Sequence, residues 1–424
     1  MRSRRLRRRA LAALSALALA TGLVTGCAPD AEISVDAPEQ AEGSLPAETT
    51  AQLEAAVTAA IGATASSGAI VGVWAPWSGS WVTAVGTDAA GAALDVDMGF
   101  RAGDLTRLMT CDVLYSVAED GIVALDDHIS DYVVGVPDLS EVTLAQLCDG
   151  TSGIGSSQPS VQGHWIANPD RRWTPLELAA FGLGRERGVP GTAYRDSDSG
   201  YILLGMALER ATQTSFAQLL RTRVFDPLGM DDTALPSTAA AVPRASGGTL
   251  PGYRLGTTPE GALDCANPID VSRMSSSIGY SDSGVVSTVS DLGTYLRALG
   301  AGALLSDEST EQRWADPLPA YTDAPAWYSA NGGGFHAGSL IGQYGWMPGY
   351  LTSGFADPET GMTVVVVLNN STSAPGVAAY LAWQLAAITS KAPAASGFTA
   401  PEFGLPWTAE EYANSIAANA LACS

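Results

Sequence analysis

Between Thr49 and Ala63 the apolar positions recur at helical spacing, which predicts an early helix. Two short apolar runs follow, Ile70–Trp74 and Ser80–Val85, on either side of Pro76-Trp77-Ser78-Gly79. Apolar runs across such a turn predict a hairpin. Leu105, Leu108, Met109, Val113, Leu114 and Val117 fall mostly at helical intervals, predicting a helix from Asp104 to Ala118 that Gly121 stops. From there to about Leu305 the chain reads mostly as helices and loops. Asp357-Pro358-Glu359-Thr360-Gly361 is then a turn before Met362–Leu368, where six of seven residues are apolar and four valines are consecutive. No polar face remains, so this is a strand buried on both sides. A last helix is predicted near Val377–Ile388. Strands near both ends with helices between them imply an α/β fold of the α+β type, its sheet completed by both termini and a mostly helical region inserted.

The N-terminus follows a different rule. Arg2, Arg4, Arg5, Arg7, Arg8 and Arg9 precede an apolar stretch from Ala10 to about Val24, which ends in Val24-Thr25-Gly26-Cys27. This is the charge and length pattern of a secretory signal over residues 1–26, too short for a membrane span. Its ending resembles a bacterial lipobox, in which Cys27 becomes the lipidated first residue. Residues 27–47 are acidic, rich in Pro and Ser and without periodicity, as expected of a tether. The expected location is the outer face of the cytoplasmic membrane, reached through the lipid on Cys27.

Charge narrows the function. The chain has 424 residues, 22 basic against 44 acidic, and a net charge of −22. Removing six arginines and no acids with the signal makes the mature charge −28. A nucleic-acid partner would need a basic face, so none is expected. Only one of the basic side chains is a lysine, Lys391. In an oxidising compartment Cys111, Cys148, Cys265 and Cys423 suit two disulfides, in any of three pairings. No two of these cysteines lie close in sequence, and only His128, His164 and His336 exist to help them, so no metal site or cofactor is expected.

Ordered segments now carry a resemblance. Phe100-Arg101-Ala102-Gly103 leads into the buried helix and then Glu119 to Asp127; Leu144–Gly153 ends in Thr151-Ser152-Gly153. Pro190-Gly191-Thr192 precedes Tyr201-Ile202-Leu203-Leu204-Gly205, and Asp226-Pro227-Leu228-Gly229-Met230 follows. Val285-Val286-Ser287-Thr288 with Asp291-Leu292, then Pro348-Gly349-Tyr350, complete the series. In this order the segments resemble the serine β-lactamase and DD-peptidase family, in its class C and carboxypeptidase-like branch, over roughly Leu53 to Leu385. The resemblance implies an antiparallel sheet flanked by helices over residues 48–392, leaving 393–424 as a C-terminal tail. It also implies that Cys111 pairs with Cys148, because the Thr151-Ser152-Gly153 loop packs near the motif helix, and so Cys265 pairs with Cys423.

The chemistry departs from the scaffold. The family acylates a serine with the help of a lysine one helical turn later, Ser-x-x-Lys, a spacing that puts both heads on one face. Here those positions hold Asp104 and Arg107. Ile388 lies three residues before Lys391, so no Ser-x-x-Lys occurs anywhere in the chain. Arginine does not give up its proton at accessible pH and cannot serve as the base. The family's Tyr-x-Asn falls on Asp196-Ser197-Asp198, with Tyr194 a displaced substitute. Its third motif, Lys-x-Gly or His-x-Gly, falls on Gln343-Tyr344-Gly345.

The expectation is therefore an exported, lipid-anchored serine-hydrolase fold without acylation chemistry, binding a ligand or protein partner of the cell envelope. Asp104, Arg107, Asp196, Asp198, Gln343, Tyr344 and Gly345 are its ligand-contacting positions. Asp104, Asp196 and Asp198 are expected to gather around Arg107, leaving Asp196 and Asp198 free to hold a hard cation or an ammonium group. The alternatives are an active hydrolase of the family and a carboxylate-based enzyme in the same cleft.

Overall fold

The computed structural model describes residues 33–236 and 239–423. The expected signal and the lipidation position Cys27 lie outside them. An eight-stranded antiparallel sheet organises the rest. Across it run Gly79–Gly86, Gly68–Ala75, Thr363–Leu368, Tyr350–Ala356, Leu340–Met347, Gly334–Ala337, Tyr328–Asn331 and Leu318–Pro319. The valine strand is central as expected, with Val364 opposite Val73 on one side and Phe355 on the other. All six of its residues are buried. Successive side chains of a strand point to opposite faces. Val364, Val366 and Leu368 accordingly join one apolar cluster, and Val365 and Val367 another. Helices Ala47–Thr64 and Gly376–Thr389 cover the first face. Helices Val289–Gly300 and Leu105–Glu119 cover the second. Two covered faces are why the strand carries no alternating polar residue.

Leu105–Glu119 is buried nearly all round, from Leu105 through Tyr115 and at Val117. A helix wrapped this completely is a central strut rather than a surface element. Its entry is pinned by side-chain bonds: Thr106 Oγ1 donates to the Gly103 carbonyl, Thr110 Oγ1 to Ser281, and Thr352 Oγ1 to Ala102. Its middle is fixed by Arg313, which donates to the Leu108 and Gly332 carbonyls and pairs with Asp112. Tyr295 donates to the other oxygen of Asp112 at 2.5 Å.

Two boundary expectations need correction. Residues 41–47 are no tether, because Ala41 and Leu45 are buried and their amides donate to Pro76 and Ser80 beside the outermost strand. The helix then begins at Ala47. The tail also folds back. Its helix Ala409–Ala418 packs on Gly376–Thr389, burying Trp407, Tyr412 and Ile416. The inserted region is less helical than expected, since Tyr253–Thr257 and Leu263–Asp270 pair as a hairpin.

Both cysteine pairings agree with expectation. Cys111–Cys148 ties the central helix to helix Leu144–Cys148, and Cys265–Cys423 ties the hairpin to the chain's end. They span 37 and 158 residues. Chain entropy alone credits them with about 4 and about 5 kcal/mol.

Candidate functional site

Asp104 stands just before the first turn of the central helix, where no side-chain bond caps the free amides. Gly345 of the neighbouring strand lies against it: a Cβ there would come within 2.4 Å of the Asp104 Cγ. The missing side chain at 345 is what makes room for the carboxylate. One turn on, Arg107 is 4% exposed, and its guanidinium lies 4.8 Å from the centre of the Tyr201 ring.

Arg107 is the hub. Its Nε donates to Asp282 at 2.7 Å and its Nη1 to Asp196 at 2.6 Å, while Asp104 stands 3.7 Å from Nη2. The Asp104–Arg107 pair is thus the weakest of the three contacts, although the two share a helix. Asp282, 5% exposed, was not legible from spacing. It sits in the short helix Tyr280–Ser283, whose Ser281 carbonyl receives the Thr110 bond.

Asp198 does not join this group. Ser197 caps the helix Asp198–Thr212, accepting from the Gly200 amide, so Asp196 falls before the cap and Asp198 after it. The Asp198 carboxylate accepts from the Ser157 and Gln158 amides at 2.7 and 2.8 Å and from the Ser157 hydroxyl. It therefore serves the N-terminus of helix Gln158–Ala167, where a negative charge is stabilised. The expected Asp196–Asp198 cation pair does not form. Gln343 also turns inward. It is 1% exposed, donates to the Gly333 carbonyl and accepts from the Tyr344 amide.

Burial pushes Asp104 well above the usual carboxylate range. Arg107 opposes that rise, while Asp282, Asp196 and Asp198 add to it. Asp282 is pushed up to about 6 by burial, against the pull of Arg107. For Arg107, burial lowers the pKa, but Asp104, Asp282 and Asp196 together carry it well above its ordinary value. A base is the one thing this arginine cannot be. Burial also raises the phenol of Tyr194 far above the tyrosine range, with Asp196 adding to it, so it cannot supply a ready phenolate.

Titration here has a stability consequence. Asp149, which accepts from the Gly332 amide at 2.9 Å, is pushed up to about 6 by burial. Its folded value exceeds the ordinary 3.8 of the unfolded chain. The folded state therefore binds this proton more tightly. That stabilisation is complete below pH 3.8 and is lost as pH rises through about 6. The melting temperature should rise as pH falls from 7.5 toward 5, and Asp149→Asn should flatten part of that rise. A thermal melt series at fixed ionic strength checks it; a wild-type profile falling over this range would contradict it.

Asp104, Arg107 and Asp196 line a cavity of about 590 Å³. Its walls are aromatic, with Tyr328, Phe335 and Tyr344 stacked across three adjacent strands at centroid spacings of 5.3 and 5.2 Å. The C-terminal helix completes the wall with Tyr412 and Ser415. Ser415 is the one serine among the described lining residues, and its hydroxyl donates to the Glu411 carbonyl. Lys391 is exposed and does not line the cavity. Among the described residues no cluster of three metal-ligating side chains occurs, and no helix is long and apolar enough to cross a membrane.

A mixed sheet-and-helix body with its cleft between a buried helix and a strand edge is the architecture of the penicillin-recognising serine hydrolases. The chain belongs to the Beta-lactamase family, whose model matches residues 53–388. It is 30% identical over 148 residues to the D-alanyl-D-alanine-carboxypeptidase/endopeptidase AmpH of Escherichia coli (strain K12). That match covers 32% of this chain and 37% of the relative. Similarity to the putative penicillin-binding protein PbpX of Bacillus subtilis (strain 168) is 24% over 274 residues, covering 64% of this chain and 62% of the relative. The chain thus spans less than two thirds of the curated relatives it matches. Among solved structures it is similar to a D-amino acid amidase from Ochrobactrum anthropi SV3, with a TM-score of 0.67 and 21% identity, over 78% of this chain and 93% of the other. A D-stereospecific amidohydrolase from Streptomyces sp. gives 0.65 and 23%, over 76% and 94%. At these identities the likeness speaks for the fold.

Proposed function

We propose that this protein is a ligand-binding module of the cell envelope, exported and held at the membrane through a lipid on Cys27, and that its cleft does not form an acyl-enzyme. One observation carries this. Arg107 is held by Asp282 and Asp196 in ion pairs of 2.7 and 2.6 Å, and by the order of the chain's segments Asp104 and Arg107 fall where the resemblance expects an acylating serine and lysine. Attack by the Asp104 carboxylate on an amide or lactam would give an anhydride, which is a poor intermediate. The curated and solved relatives include enzymes by name, so the fold alone leaves the activity open. What supports the binding reading is an open cavity of about 590 Å³ at Asp104 and Arg107, without a serine–lysine pair.

The test is labelling of the purified protein with a fluorescent penicillin and a panel of acyl reporters. The expected result is no covalent adduct. A stable adduct on any residue of the cleft would overturn the proposal and favour the alternative of an active hydrolase.

A further inference from the structure

The cleft's charge is not balanced. Asp104, Asp196 and Asp282 surround the single Arg107, for a formal sum of −2. Arg107 spends its two short bonds on Asp282 and Asp196. Asp104 is left with a 3.7 Å contact, a side chain 16% exposed, and a carboxylate that caps no helix amide. Asp104 lines the 590 Å³ cavity, and its one charged contact is the 3.7 Å approach of Arg107. Burial raises it, and an arriving cation would offset that cost.

The rest of the cavity selects which cation. Calcium needs six or more oxygen ligands, and among the described residues no set of three ligating side chains converges. Aromatic faces instead favour organic cations, which give up hydration more easily than metal ions. Tyr344, Trp346 and Tyr380 are only partly buried and line the same cavity as Asp104. Tyr344 lies in the field of the carboxylates: burial comes first in raising its phenol, and Asp196 and Asp104 add to it. The chain as a whole carries −22, which draws cations toward it at low salt.

We infer that the cleft binds an organic ammonium ion with an apolar body, the ammonium at Asp104 and the body against Tyr344, Trp346 and Tyr380. The inference rests on the binding reading of the cleft and names its ligand class. A carboxylate ligand would meet repulsion here.

Three probes of similar size separate charge from bulk: 2-phenylethylammonium, 2-phenylethanol and 3-phenylpropanoate. They are titrated into the purified protein at pH 7.5 and low salt, followed by calorimetry. The ammonium should bind about tenfold or more tighter than the alcohol, and the carboxylate most weakly. Asp104→Asn should erase the ammonium's advantage and leave alcohol binding unchanged. Tyr380→Leu should weaken the ammonium and the alcohol by a similar factor. Equal affinities, a tighter carboxylate, no binding of any probe, or an ammonium preference that survives Asp104→Asn would each overturn the inference. Covalent labelling in the penicillin assay would remove the non-acylating reading while leaving this charge preference to be judged by its own titration.

Discussion

Asp282→Ala should cost about 3 kcal/mol or more of folding free energy, because it strands a buried cation. The guanidinium it leaves behind is 5% exposed and sits among the Tyr201 ring and the central helix. Asp196 remains, but its side chain is 60% exposed, so water already screens it. The comparison between the two carboxylates is the sharper test. Asp196→Ala should cost less than about 1 kcal/mol, although its bond to Arg107 is the shorter one. Burial, not distance, decides the order. Urea unfolding of both variants measures it, and an equal or reversed cost would mean that Asp282 is not the anchor of Arg107.

The second large effect lies at Arg313. Its guanidinium is 1% exposed and bonds Asp112, the Leu108 carbonyl at 2.8 Å and the Gly332 carbonyl at 3.0 Å. Arg313→Leu removes every one of these and leaves Asp112, 2% exposed, with only the Tyr295 hydroxyl. The expected loss is about 3–5 kcal/mol, the range for breaking a buried pair from one side. The double variant Asp112→Leu with Arg313→Leu should lose less than the sum of the two single variants, since no stranded charge remains. Additive costs would show that the pair does not act as a unit. The consequence reaches the cleft, because Arg313 clamps the turn at Gly332 onto the helix that carries Asp104 and Arg107.

Much of this architecture was legible in the chain. The unbroken valine run announced a strand covered on both faces, and the apolar spacing after Asp104 announced the central helix. Reading the segments in order singled out Asp104, Arg107 and Asp196, and the structure brings these three together in one cavity. Three features were not legible, each for a physical reason. Asp282 comes from a four-residue helix with no periodicity, and nothing local distinguishes it from a solvated aspartate. Asp198 lies two residues from Asp196, yet Ser197 starts a helix between them and sends the second carboxylate to another helix's amides. The aromatic wall is assembled from strands and a C-terminal helix far apart in sequence, and Tyr412 and Ser415 fall in a segment without any recognisable motif. The tail's one signal was Cys423, whose bond to Cys265 returns the chain's end to the body.

The central claim is that Arg107 is an ion-pair hub and not a base, so a nucleophile alone does not restore acylation. The direct measurement is the intact mass of the Asp104→Ser variant after prolonged incubation with benzylpenicillin. A serine then stands one turn before Arg107, in the family's own spacing, with a guanidinium in place of the lysine amine. The account predicts an unchanged mass, because that group holds its proton throughout the accessible pH range. A mass increase of one penicillin, located to residue 104, would contradict it.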